Sequence, residues 1–320
     1  MITDRQAMQE GLPYHLILRG GRPGWWRPVV GVLALVIGML LLAPILWQIP
    51  LVAWFVASGQ PVLESVERMV DLEDPTPLGL AYLNIVLATA IPLTWLIVRV
   101  IHGLRPRWLS SVFPRLRWRY LLVCLGLALL ALIATILVST LLPAQDTGTE
   151  VSGQLNDFTR TTRDFLIVVV LLTPLQAAGE EYAFRGYLTQ AFGGIFRHPV
   201  PAVVAPAILF ALSHGLGQSA PIFFDRLAFG LVAGTLVILT GGLEAGIAMH
   251  VLNNWVAFGL ALAFGDMGSS LNPTGGSWWS IPVTLTQSLV YLGLALLVAR
   301  RMGLATRMDP IVLEAPERRV

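Results

Sequence analysis

Three short stretches place polar side chains where chemistry can use them: GEEYAFRGYL at 179–188, FALSH at 210–214 and HVLNN at 250–254. Residues four apart on a helix share a face, so Glu181 and Arg185 are expected to pair, while Glu180 points about 100° away and stays free. His214 follows Phe210 by one turn, and His250 and Asn254 are likewise one turn apart. Hydrolysis by an activated water, one chemistry open to such a set, needs a base for the water and donors for the negative charge that develops. Glu180 is of the right type for the general base, and His250 with Asn254 can aim donors at a common point. His214 can position the water, or join His250 and Glu180 around zinc or another divalent metal, because two histidines and a glutamate make a known catalytic zinc set. The soluble His-Glu-x-x-His signature is absent. A serine or cysteine nucleophile fits less well: Ser213 adjoins His214 in sequence but points elsewhere on a helix, and Cys124 has no evident base.

The elements that must position these groups are membrane helices. The 320 residues are 55% hydrophobic and 12% charged, with a mean hydropathy of +0.71, which excludes an ordinary soluble surface. Apolar runs at 29–57, 78–98, 120–142, 165–189, 200–216, 221–240, 243–264 and 281–299 predict eight spans of an all-α polytopic bundle. The first run is long for one straight span, and Pro50 offers it a place to bend. The runs do not alternate as barrel strands would. Glu180 falls deep in the fourth run, where a carboxylate costs about 2.5–3.5 kcal/mol on insertion scales and so needs a partner in the bundle interior.

Charge placement orients the bundle. Arg99, Arg105, Arg107, Arg115, Arg117 and Arg119 lie between the second and third spans, whereas Glu64, Glu67, Asp71, Glu73 and Asp74 lie between the first and second. The positive-inside rule then places both termini and the 99–119 segment in the cytoplasm, in agreement with Arg197, Arg300, Arg301 and Arg307 and with an even number of spans. Arginines with Trp108 and Trp118 are what a lipid interface requires, so no nucleic-acid partner is expected. The N-terminal leader with Arg5, Arg19, Arg22 and Arg27 reads as the flank of an uncleaved first span. The single cysteine excludes an intrachain disulfide and fits a packing role. The segment after residue 303 reads as a polar, poorly ordered tail.

The ordered trio EEYAFR, FALSH and HVLNN resembles the CPBP or Abi family of CAAX prenyl protease 2-like and bacteriocin-processing intramembrane metalloproteases, whose pattern is Glu-Glu-x-x-x-Arg, Phe-x-x-x-His, His-x-x-x-Asn on three helices. The resemblance implies an integral protein, of a bacterial plasma membrane, with three N-terminal spans over 1–159, a protease core over 160–265 and a last span with a cytoplasmic tail over 266–320. It carries Glu180, Glu181, Arg185, His214, His250 and Asn254 into a proteolytic site with Phe210 beside it, acting on a peptide or protein substrate that is membrane-associated or lipidated. The alternatives are a non-catalytic regulator or binding protein of the same fold, and a proton-coupled transporter using the same ionisable residues.

Overall fold

A computed structural model describes residues 11–143, 152–273 and 275–309, all helical or irregular apart from two isolated bridges. Seven helices are long and apolar enough to span a bilayer. They are α1 (Trp26–Ala57), α2 (Pro77–His102), α3 (Trp118–Ser139), α4 (Arg160–Phe196), α6 (Ala220–Thr240), α7 (Glu244–Phe264) and α8 (Ser280–Arg301). The chain is therefore an integral membrane protein. Between α4 and α6 lies α5 (Pro199–Ser213), apolar but only 15 residues long.

The expected eight spans are thus corrected to seven. At 1.5 Å per residue α5 reaches about 22 Å, short of the roughly 30 Å hydrocarbon core. It starts as a helix should, with Pro199 in the first turn and the His198 side chain accepting a hydrogen bond from Val200 N. It stops at Ser213 because Gly215 adopts φ 111°, outside the helical region. Leu216, counted into the fifth span for its apolarity, projects outward at 89% exposure.

Nevertheless the first and last described segments, at Leu12 and Met308, lie at one face of the bundle. Met308 N donates to Leu12 O at 2.9 Å, and Pro13 pairs with Arg307. At the same face, Arg22 N bonds His102 O, Val112 N bonds Gly241 O, and Leu243 N bonds Ser110 O. Arg117 at the start of α3 holds the buried Glu244 at the start of α7 through Nη2 and Oε2 at 2.6 Å, and also donates to the Thr240 and Ala305 carbonyls. The opposite face is marked by Asn156 N donating to Ala263 O. Residues 304–309 are therefore part of the fold, with Met308 buried, which corrects the expected loose tail after 303; residues 310–320 lie outside those described. In α1 the helix runs through Pro50, and its irregular π turn falls at Gly38–Leu42 instead.

α4 occupies the centre. Its start is closed by a reciprocal cap between Thr159 and Thr162. Asn84 on α2 reaches Thr173 on α4, and Trp255 on α7 donates to Val169 O, so α4 is clamped from two sides. Gly179 permits this approach: a Cβ there would lie 2.4 Å from Leu87 O, a backbone atom that cannot move aside.

Candidate active site

Immediately after Glu181, α4 widens into a π segment, Tyr182–Leu188, before returning to α-helix at Thr189. Such insertions recur at functional sites because the extra residue per turn re-aims side chains. Here the segment carries Arg185, which is 1% exposed and pairs through Nη1 with Glu181 Oε1 at 3.1 Å. The guanidinium is stacked over the Phe210 ring at 4.1 Å and the Phe229 ring at 5.1 Å. Aromatic faces thus solvate a cation that water does not reach.

Glu181 also binds across the bundle. Its Oε1 lies 3.0 Å from His250 Nδ1, and its Oε2 rests so close to Gly246 that a Cβ there would come within 2.6 Å. An ionised carboxylate only accepts, so His250 Nδ1 carries the proton of that bond. His250 is then held edge-on to Phe210 and Phe229, with ring centroids 5.9 and 5.0 Å away. Its other nitrogen, Nε2, faces Glu180 Oε2 at 3.3 Å. That oxygen is buried and has no hydrogen-bond partner among the described residues. A buried acceptor left open in this way is an exception that asks for a ligand.

The expected pairing of Glu181 with Arg185 and the separate direction of Glu180 are both seen, and His250 joins the two glutamates. His214 caps the end of α5, with Nδ1 donating to Phe210 O at 2.8 Å and its ring 4.7 Å from that of Phe210. Nε2 is thereby left as the lone-pair nitrogen. Ser213 Oγ donates to the same carbonyl. The end of α5 sets His214 beside Phe210, whose ring also meets that of His250. Asn254, one turn after His250, bonds across to α4. Its Nδ2 donates to Gln176 Oε1 at 2.9 Å.

The sequence reading passed over Gln176, Phe229 and Arg226. Gln176 precedes Glu180 by one turn, so periodicity alone puts it on the same face. Arg226 Nη1 donates to Gln218 Oε1 at 2.6 Å, and Gln218 Nε2 bonds the carbonyls of Ala211 and Gly215, pinning the loop that carries His214.

A polytopic membrane protein with two glutamates and two histidines gathered around an aromatic-lined cation is the class that fold and site define. Residues 162–256 match the family described as type II CAAX prenyl endopeptidase Rce1-like, and all six residues named from the motifs lie inside that match. The chain carries a domain of this CPBP/Abi family. It is also similar to the uncharacterized protein YyaK of Bacillus subtilis (strain 168), 26% identical over 236 residues, covering 70% of this chain and 77% of that protein. No solved structure matches.

The Rce1-like family is generally considered metal-dependent. Glu180, His214 and His250 are suitable donor types, but their arrangement does not fit: no three His, Cys, Asp or Glu side chains among the described residues gather as a metal shell. His250 Nδ1 is held by Glu181, and its Nε2 faces Glu180 Oε2 at 3.3 Å.

Proposed function

We propose that the chain is an intramembrane endopeptidase that hydrolyses peptide bonds of membrane-associated or lipidated substrates, with Glu180 as the general base. The observation that carries this reading is the buried Oε2 of Glu180, without a hydrogen-bond partner among the described residues, facing the imidazole of His250 between apolar helices. A water bound there gives one proton to Glu180 as its oxygen bonds to the scissile carbonyl carbon. The carbonyl oxygen takes up the negative charge. When the tetrahedral carbon collapses, the C–N bond breaks and Glu180 returns the proton to the amine, so the base is restored. Glu181 and Arg185 are positioning residues that fix the His250 ring. His250 Nε2 lies beside the Glu180 oxygen that takes the water, and His214 Nε2 offers an acceptor for the second water proton.

The test is cleavage of quenched peptides, with and without a prenylated cysteine, by the full chain in liposomes. Glu180→Gln keeps the shape and removes the base, so kcat is expected to fall by about 10²–10⁴. Prolonged dialysis against a chelator is expected to leave cleavage intact. Cleavage that chelation abolishes and Zn²⁺ restores would replace the metal-free reading with Glu180, His214 and His250 around an ion. Full activity in Glu180→Gln would overturn the role of the glutamate.

A further inference from the structure

At the face of the bundle that holds Leu12 and Met308, several arginines are already engaged. Arg22 and Arg27 donate to the last carbonyls of α2, those of Val100 and Ile101, at 3.0 and 2.6 Å. Arg117 holds Glu244, and Arg115 lies over the Phe113 ring at 4.8 Å. The guanidinium groups of Arg99, Arg105 and Arg107, in contrast, have no hydrogen-bond or ion-pair partner among the described residues, and all three residues are exposed. With Pro106 they line one open cavity of about 420 Å³ that has no carboxylate in its wall. Like charges gathered around one hollow repel each other unless an anion lies between them.

The backbone behind this wall is fixed. The chain leaves α2 through Gly103, at φ 70°, and enters the short 3-10 turn Pro106–Leu109. Trp108 and Leu109 of that turn are buried, and Gln190 Nε2 on α4 donates to Trp108 O at 3.0 Å. Arg105 and Arg107 therefore project from an ordered loop, and a ligand bears little cost of ordering it. About one turn before Arg99 on α2, and so deeper in the bilayer, Trp95 and Leu96 are exposed. The cavity thus lies where headgroups give way to acyl chains, with a tryptophan at the boundary.

We propose that Arg99, Arg105 and Arg107 form a binding site for the phosphate group of an anionic phospholipid. Guanidinium forks match phosphate oxygens two at a time, and basic pockets beside membrane helices hold anionic headgroups. Trp95 and Leu96 select a lipid over free phosphate, since they offer its acyl chains an apolar surface directly below the headgroup. A headgroup of net negative charge is required, because the cation of a choline headgroup is repelled by the same arginines. The site stands apart from Glu180 and His250 and does not depend on the peptidase reading.

The experiment is native mass spectrometry of the full chain in detergent, titrated with phosphatidylglycerol or phosphatidylcholine, each with and without inorganic phosphate. The wild type is compared with Arg99→Gln and with the triple variant Arg99→Gln, Arg105→Gln, Arg107→Gln. A charge-matched control, Arg119→Gln, Arg300→Gln, Arg301→Gln, removes exposed arginines elsewhere on the same face. Wild type and control are expected to retain one phosphatidylglycerol with equal affinity. That affinity is expected to fall by about fivefold in Arg99→Gln and about 10² in the triple variant, as about 1 kcal/mol for each arginine implies. An equal loss in the control, or equal retention of phosphatidylcholine by the wild type, would leave only diffuse attraction and overturn the site. Displacement of the lipid by inorganic phosphate at the lipid's own concentration would overturn its assignment to the bilayer.

Discussion

Glu181 has two jobs that can be separated. It neutralises Arg185, and it orients His250. Removing one partner of a buried pair strands the other charge, at a cost of about 3–5 kcal/mol, whereas replacing both by apolar groups of similar size is often neutral. Glu181→Ala is therefore expected to lower the unfolding temperature in detergent sharply. The double variant Glu181→Leu with Arg185→Met is expected to recover most of that loss but none of the peptidase activity, because His250 Nδ1 then has no acceptor. A double variant as active as wild type would show that His250 needs no orienting carboxylate. The Glu181–Arg185 pair was legible in the sequence, since both residues lie on one helix and four-residue spacing fixes their relation. The bond from Glu181 to His250 was not, because it depends on how two helices 69 positions apart in the chain are rotated about their axes. The same blindness hid the bond between Gln176 and Asn254: the spacing puts Gln176 on the face of Glu180, but its partner lies across the helix interface.

At the scale of elements, apolar runs gave the helices and turn residues gave their ends, but α5 shows where that reading fails. Hydropathy carried the run to Leu216, while Gly215 and Gly217 were the signal for an earlier stop. The N-terminal 3-10 segment Tyr14–Gly20 was equally hidden, being neither long nor periodic. It docks on α4, where Gly193 gives room for the His15 carbonyl. His15 is 6% exposed with Nδ1 unpartnered. Burial first, then the neighbouring His198 and Arg307, push its pKa down from 6.5 to about 4. The folded imidazole is thus neutral between those values, while the unfolded one takes up a proton. The sign follows: stability contributed by neutral His15 is complete above pH 6.5 and is lost as pH falls towards 4, by up to about 3 kcal/mol. Unfolding temperatures in detergent between pH 7.5 and 4.5 are expected to fall less steeply for His15→Gln than for the wild type. Parallel slopes for the two proteins would show that another group dominates.

Across the described molecule, the question is how seven long helices bring Leu12 and Met308 to one face. An odd number of crossings would part them, yet Leu12 and Met308 are hydrogen-bonded. The additional passage is expected from α5 together with the segment 214–219, in which Gln218 Nε2 donates to Gly215 O and Arg226 donates to Gln218. Non-helical backbone is tolerated at membrane depth only where protein or a water-filled cavity covers it, so this break suits a site that must admit water. The arrangement has a direct test in a Cys124→Ser background, with single cysteines at Asp74, Arg115, Gln154 and Arg301, all exposed. A membrane-impermeant maleimide is expected to label Asp74 and Gln154 from one side, and Arg115 and Arg301 from the other. The arginine excess predicts that the second side is the cytoplasm. If α5 instead entered and left by the same face, everything after it would be inverted, and the cysteine at 301 would label together with that at 154. That pattern would also separate Glu180 from His250, and the site would have to be abandoned along with the topology.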